Sequence, residues 1–200
     1  STNRIIELKH EKVLVTCAAD RYKIAEGFFE AGCDVILGDL MFALGIPIPI
    51  KSLKTFKRIA DLLMPFVALL PFKMLYPTGG GQEKVSRNKR LTMFYDWADI
   101  VAGDFMYIKK YMPERMSGKA IITNTVTADD VEELRRAGVK ILITTTPEFD
   151  GRSFGTNVVE AILIASCGKR PEEIKEGEYE ELFSKLGFKP RVEYLDSGVL

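Results

Sequence analysis

The chain has 200 residues, of which 46% are hydrophobic and 28% are charged, a composition typical of a globular domain with a sizeable core. Its 28 basic residues balance its 28 acidic residues, so no net charge favours binding to nucleic acid or to an anionic membrane. Cys17, Cys33 and Cys167 show no CxxC spacing, which argues against a disulfide framework or a zinc site and favours a reducing cytoplasm.

The chain begins with a predicted β-strand, α-helix and β-strand. Residues 12–16 and 34–37 are short apolar runs, and residues 21–31 have an apolar stripe at helical spacing. Asp20 is a suitable N-cap for this helix, and Gly32 is a suitable residue to end it. We therefore predict a βαβ unit. Residues 4–9 resemble the end of a helix, so we expect a further N-terminal domain in the full-length protein.

Residues 46–88 form a predicted excursion from this alternation. GIPIPIKS has too many prolines for a central strand, and a helix is predicted over residues 52–63. The following apolar stretch is too short to cross a membrane and contains two prolines. Predicted helices already cover both faces of the sheet, so the many apolar side chains of the excursion need another partner. We therefore expect the excursion to form a lid or a homodimer contact.

Regular alternation returns after the excursion. Strands are predicted at residues 99–102, 119–123, 140–144 and, at an edge, 191–195; the helices between and around them are predicted at residues 89–97, 106–111, 129–137, 156–166 and 178–186. Strand-helix alternation with right-handed crossovers predicts an α/β class fold. We expect residues 1–200 to form one Rossmann-like domain, with a doubly wound, mainly parallel sheet of order about 2-1-3-4-5.

Small polar or acidic residues follow each predicted strand. They are Asp20, Asp39, Asp104, the triplet Thr123, Asn124 and Thr125, and the triplet Thr144, Thr145 and Thr146. Two of these ends share a Gly-Asp-apolar-Met-aromatic pattern, at Gly38-Asp39 and Gly103-Asp104. Ligands of open α/β sheets bind outside the carboxyl ends of the strands, where the strand order reverses. The pattern therefore predicts a small-molecule site at this edge, near Cys17 and Gly103.

The first strand-to-helix loop is the place where a dinucleotide would bind. It contains no glycine, but Ala18 and Ala19 are small enough for a phosphate to approach, and Arg21 is a possible phosphate partner. Asp20, by contrast, places a negative charge there. Asp39 follows the second strand at the position of a ribose-binding acid, which favours NAD over NADP. Thr123, Asn124 and Thr125 complete this predicted cofactor site; the open alternative is a structural βαβ unit with Asp20 as its N-cap.

The densest polar stretch lies in residues 144–157, before a predicted helix. Free backbone N–H groups at a helix start, together with hydroxyls and a guanidinium, form an anion site. The expected members are Thr144, Thr145, Thr146, Arg152, Ser153, Gly155, Thr156 and Asn157. A phosphorylated or carboxylated metabolite would bind there without hydride transfer. A capped turn with a solvated arginine is the alternative.

The sequence identifies no catalytic residue by motif. His10 is the only histidine and is predicted to lie on the surface, and the Tyr-x-x-x-Lys, HExxH, Walker A and GxSxG motifs do not occur. The catalytic candidates are therefore Lys73, Tyr76 and Asp104, of which the first two belong to the excursion.

Three segments carry a resemblance to a known group. VLVTCAADRYKIAEGFFEAGCDVILGDLMFALGIPIPI, LPFKMLYPTG and TTTPEFDGRSFGTNVVEA are similar to bacterial proteins labelled quinate 5-dehydrogenase-like, and the similarity covers most of the chain. The resemblance implies NAD(P)-dependent oxidation of a ring hydroxyl on a small hydroxylated acid, as in quinate/shikimate dehydrogenases. A non-redox metabolite-binding domain and an interaction domain that forms a homodimer remain the alternatives.

Overall fold

A mainly parallel sheet forms the centre of the molecule. The structure, a computed structural model, describes residues 8–67, 69, 89–149, 152–153, 155–168, 170, 173–187 and 189–195. Five strands lie parallel: β1 (Lys12–Val15), β2 (Asp34–Leu37), β3 (Ile100–Ala102), β4 (Ala120–Thr123) and β5 (Ile141–Thr144). A hairpin of β6 (Glu148–Phe149) and β7 (Arg152–Ser153) follows, and β8 (Arg191–Tyr194) pairs antiparallel with β5.

The strand order is β2-β1-β3-β4-β5-β8. The predicted Rossmann-like α/β fold and the order of the first five strands are confirmed, and the predicted edge strand extends the sheet beside β5. The order reverses between β1 and β3, so the carboxyl ends of these two strands flank the switch point.

Helices cover both faces of the sheet. In the described part of the chain they are α1 (Tyr22–Glu30), α2 (Asp39–Phe42), α3 (Leu53–Val67), α4 (Lys89–Trp97), α5 (Phe105–Tyr111), α6 (Ala128–Arg136), α7 (Thr156–Cys167) and α8 (Glu176–Lys185). Alternate strand residues point to opposite faces, so Leu14 joins one apolar cluster while Val13 and Val15 join the other. The first cluster includes α4, α5 and α6, and the second includes α1 and α3.

The start of α1 differs from the prediction. Arg21 is its N-cap, and no side chain caps the helix, whereas Asp20 was expected in that role. The Asp20 carboxylate instead lies 3.1 Å from Nε of Arg21. The helix end was predicted correctly, because Gly32 has a φ of +79° just after the C-cap.

The chain reaches α3 by running along the outer edge of β2. Ile50 and Leu37 exchange two backbone hydrogen bonds of 2.8 and 3.2 Å, while the proline-rich residues before Ile50 are loop, as predicted. The helix continues through Pro65 to Val67, so the predicted end at residue 63 was too early. Phe56 anchors this helix against the sheet, while Pro65, near the end of the helix, contributes no backbone N–H.

No helix in the described ranges has both the length and the hydropathy required to cross a bilayer.

Candidate functional site

The polar residues that follow the parallel strands lie at one edge of the sheet and form two clusters. The first joins the loop after β1 to Asp39, which follows β2. The second joins the ends of β3, β4 and β5 through Asp104, Asn124 and Thr146. Each cluster has a different chemical character.

In the first cluster, the Asp39 carboxylate binds the backbone of the first loop. Its Oδ2 accepts a hydrogen bond from the N–H of Ala18 at 3.0 Å, and its Oδ1 accepts one from the N–H of Ala19 at 2.8 Å. These are the loop N–H groups that a dinucleotide phosphate would be expected to use. The N–H groups of the first loop are therefore already bound by a carboxylate of the protein itself, that of Asp39.

Burial determines the protonation of this cluster. Desolvation raises the pKa of Asp39, and the hydrogen bonds from Ala19, Ala18 and Cys17 oppose that rise. Desolvation also raises the pKa of the Cys17 thiol to about 12, with a further contribution from the negative charge of Asp39. Cys17 is consequently a neutral thiol that donates to Asp39, and it lacks the thiolate needed for a nucleophile.

The two Gly-Asp sequences turn at similar positions but use their aspartates differently. Asp104 is the N-cap of α5 and accepts a hydrogen bond from the N–H of Met106 at 2.9 Å. Asp39 is instead the first helical residue of α2, whose N-cap is Gly38, and it reaches across to the neighbouring loop. Relative to the shared Gly-Asp pattern, α2 starts one residue earlier than α5. This difference explains why Asp104 caps its own helix, whereas Asp39 binds the neighbouring loop.

An apolar pocket lies beside Asp39. It has a volume of about 110 Å³ and is formed by the first loop, α2, α3 and the segment between the two helices. We call it the ring pocket; its lining residues are Cys17, Ala19, Asp39, Leu40, Ala43, Leu44, Ile50, Phe56, Ile59, Ala60 and Leu63. Within the described residues it is partly open to solvent. A closed apolar cavity of about 150 Å³ holds one benzene, so the ring pocket is of the size of a single ring.

The second cluster begins with three buried side chains at the carboxyl ends of β3 and β4. Asn124 donates from Nδ2 to Oδ2 of Asp104 at 3.1 Å, and its Oδ1 accepts from the N–H of Phe105 at 3.4 Å. The Thr123 hydroxyl donates to the carbonyl of Gly103 at 2.8 Å. Since Asp104 and Asn124 are only 7% and 8% exposed, these bonds mainly fix the two loops to each other.

The hydroxyls of the 144–157 loop extend this network. Thr144 donates to the carbonyl of Thr146 at 2.8 Å, and Thr146 donates to the carbonyl of Asn124 at 3.0 Å. The buried Ser153 hydroxyl donates to Oγ1 of Thr144 at 3.2 Å. Three of the hydroxyls expected at an anion site thus make internal hydrogen bonds and are buried.

The other predicted members of that anion site are spread along the loop and the start of α7. Thr145 is exposed and donates its N–H to the carbonyl of Thr123 at 2.8 Å. Gly155 is the N-cap of α7, without a side-chain cap bond, and lies near the hydroxyl of Thr125. Arg152 lies in β7, while Thr156 and Asn157 begin α7. Anion binding by this loop stays a prediction that rests on backbone N–H groups and Arg152.

The outcome for the three catalytic candidates and for His10 differs from residue to residue. Lys73 and Tyr76 lie outside the described residues, so their predicted catalytic role stays a prediction. His10 is exposed, as predicted. Asp104, the third catalytic candidate, is a buried helix cap.

Sequence reasoning missed the apolar side of the ring pocket. The signal was present in Phe56, Ile59 and Leu63, whose spacing places them on one face of the predicted helix. Only the return of the chain along β2 brings that face next to Asp39.

The comparisons with known proteins give a family and no closer relative. No curated protein matches the chain, and no solved structure matches it. A family model described as a domain of unknown function (DUF8754) matches residues 1–195. Because the match covers nearly the whole chain, the protein belongs to the DUF8754 family.

Proposed function

We propose that this domain binds a small molecule by inserting one uncharged ring of it into the ring pocket. The observation that carries the proposal is the pocket itself: an apolar space of about 110 Å³ with one carboxylate, Asp39, in its lining. Ligand sites are typically apolar hollows with a few polar groups that fix orientation. The pocket also lies at the carboxyl ends of β1 and β2, next to the switch point between β1 and β3.

The lining limits the kind of ring that fits. Leu40, Ile50, Phe56 and Leu63 offer only hydrocarbon surface, so a charged ring would lose its hydration without compensation. The Asp39 carboxylate borders the pocket, but Ala18, Ala19 and Cys17 already bind it, so the surface that a ligand would meet is almost entirely apolar. The ligand class is therefore an uncharged aromatic or alicyclic ring.

A second candidate function is that of an NAD(P)-dependent oxidoreductase of the quinate/shikimate-dehydrogenase-like kind. Two observations favour it: the Rossmann-like strand order, and the position of Asp39 after β2 beside the ring pocket. A cofactor in the usual orientation would have to displace the Asp39 carboxylate from the N–H groups of Ala18 and Ala19. The substrate expected from the resemblance is a small hydroxylated ring acid.

A thermal shift panel tests both candidates on the 200-residue chain. The panel contains indole, adenosine, NAD and NADP, each measured against the ligand-free protein. A ligand at about 100 times its Kd stabilises the native state by about 2.7 kcal/mol, which raises Tm by several degrees for a chain of this size. We expect indole or adenosine to raise Tm. A rise for NAD or NADP larger than that for adenosine would favour the oxidoreductase instead.

A pocket-filling substitution localises the effect. Ala60 lines the ring pocket, so Ala60→Leu should remove the Tm rise caused by the ring compounds. Arg58→Leu is the matched control, because it adds a leucine to the exposed side of the same helix. If no ring compound raises Tm, or if Ala60→Leu and Arg58→Leu respond alike, the proposed function is wrong.

A further inference from the structure

We infer that Asp39 determines the ligand specificity of the ring pocket by keeping phosphate groups out of the first loop. The inference rests on the proposed function, because it concerns ligands of the same pocket. Its starting point is the paired contact of Oδ2 and Oδ1 of Asp39 with two consecutive N–H groups, at 3.0 and 2.8 Å. A phosphate at that loop would place two of its oxygens where the Asp39 oxygens now lie.

A ligand phosphate and the Asp39 carboxylate cannot both bind the N–H groups of the first loop. Each backbone N–H directs one strong hydrogen bond, and the N–H groups of Ala18 and Ala19 already direct theirs to Asp39. A phosphate next to a retained carboxylate would also face a like charge at short range, in a site where burial weakens screening by water. Phosphate binding at this loop therefore requires Asp39 to leave it.

The neighbouring charges do not reverse this preference. Asp20, one residue after Ala19, is an exposed second carboxylate close to the same loop. The adjacent cation, Arg21, has its Nε 3.1 Å from the Asp20 carboxylate. The loop thus combines two aspartates with one arginine, an arrangement that favours neutral ligands over anionic ones.

The geometry also explains why a phosphate-excluding residue is found in a Rossmann-like fold. In a dinucleotide site, an acid after β2 binds the ribose while glycine-loop N–H groups bind the pyrophosphate. Here one acid after β2 takes the place of the pyrophosphate itself. The ligand class is then a nucleoside-like or simpler ring compound, without a phosphate at the first loop.

Titration calorimetry with three probes tests the inference on the whole chain. The probes are adenosine, adenosine 5′-monophosphate and inorganic pyrophosphate. For the unsubstituted protein we expect adenosine to bind at least about tenfold more tightly than the monophosphate, the scale of one charged hydrogen bond, and pyrophosphate to give no heat. Equal binding of adenosine and its monophosphate, or pyrophosphate binding, would overturn the inference.

Asp39→Ser and Asp39→Asn provide the second arm. Serine is too short to hold both N–H groups, and asparagine keeps the shape but lacks the charge and one of the two acceptors. Both variants should bind pyrophosphate with measurable heat and lose the preference for adenosine over its monophosphate. Asp34→Asn is the charge-matched control, because Asp34 is exposed at the opposite end of β2. A gain of the same size in Asp34→Asn, or no gain in either Asp39 variant, would reject the role of Asp39.

This arm separates the inference from the proposed function. Pyrophosphate binding by the Asp39 variants does not involve the apolar part of the pocket. A pyrophosphate gain without any binding of ring compounds would reject the ring-binding function and support only the part of the inference by which Asp39 keeps phosphate out of the first loop. Ring binding with no gain of pyrophosphate binding would support the ring-binding function and reject the inference.

Discussion

Asp39 joins the end of β2 to the first loop through hydrogen bonds of 3.0 and 2.8 Å. Its position after the second strand, about 20 residues beyond the first loop, predicts a polar contact at the carboxyl edge of the sheet. The partner of that contact depends on the pairing of β1 with β2, which places Ala18 and Ala19 within reach of its carboxylate. The sequence therefore predicts the location of this acid, whereas its bonds to the loop require the three-dimensional structure.

Gly103 is required by its backbone conformation and by its neighbour. Its φ is +141°, and a Cβ added there would lie 2.2 Å from Oγ1 of Thr16. Gly103→Ala should therefore lower the free energy of unfolding by about 1–3 kcal/mol or more, the cost of a strained backbone plus a clash. Urea denaturation measures the change.

Gly177 supplies a control of opposite sign for that prediction. It lies in α8, and a Cβ added there would meet nothing within 4 Å. Gly177→Ala should be neutral or stabilising by up to about 1 kcal/mol, because alanine is the better helix former. Similar effects of the two substitutions would contradict the strain assigned to Gly103.

At the scale of elements, helix ends were predicted less well than helix positions. Gly32 was correctly predicted to end α1, and Gly138, with a φ of +84° just after the C-cap of α6, ends the helix before β5 in the same way. The prediction for Asp20 failed because its carboxylate interacts with Arg21 and not with the start of α1. Side-chain pairing of this kind cannot be derived from capping preferences alone.

A charged cluster joins α5 to α6. Nζ of Lys109 lies 2.7 Å from Oδ1 of Asp130 and 3.1 Å from Oε2 of Glu133. Burial works against both charges, but the hydrogen bonds raise the pKa of Lys109, and the bonds from Lys109 and Thr127 lower the pKa of Asp130. The cluster therefore favours its charged form in the folded state.

Lys109→Met should destabilise the protein in a pH-dependent way. The lowered pKa of Asp130 gives a stabilisation that is present above the unfolded pKa of about 3.9 and is lost as the pH falls through the folded pKa. We expect a loss of about 1 kcal/mol at pH 7, since the cluster is partly exposed, and a progressively smaller loss as the pH falls below the unfolded pKa. Urea denaturation at pH 7 and at a series of acidic pH values measures the change.

The exposed pair of Lys185 and Glu181 on α8 is the control for the charged cluster. Its side chains are 73% and 72% exposed, and its nitrogen and oxygen atoms are 3.9 Å apart. Lys185→Met should change stability by less than about 0.5 kcal/mol at every pH. A Lys109 effect that persisted in acid would show that lost packing, and not the ion pairs, caused it.

At the scale of the whole molecule, the strand order was predicted because five apolar runs alternate with helices. The same alternation could not place α3, which follows a proline-rich segment and fits no standard crossover. The edge bridge between Leu37 and Ile50 determines where α3 packs. The ring pocket depends on that placement, and this is why its apolar side was not predicted.

The excursion supports one prediction about assembly. Leu62 and Phe66, four residues apart on α3, are 69% and 67% exposed, and Leu69, just beyond the end of that helix, is 83% exposed. Large exposed apolar side chains close together in the chain are typical of a contact surface, and a C2 homodimer is the commonest solution. Light scattering should therefore show a dimer, and Phe66→Glu with Leu69→Glu should convert it to a monomer. Met93→Glu, at an exposed apolar residue of α4, is the control and should leave the dimer intact. A monomer before substitution would contradict the dimer prediction.

The central claim is that an uncharged ring enters the pocket between the first loop, α2 and α3. Methyl NMR during a titration with indole tests it most directly, because Ile50, Ile59 and Leu63 line the pocket. Their methyl resonances should shift saturably, while those of Ile162, exposed on α7, should not move. Absence of saturable shifts at the three pocket residues, or equal shifts at Ile162, would contradict the account.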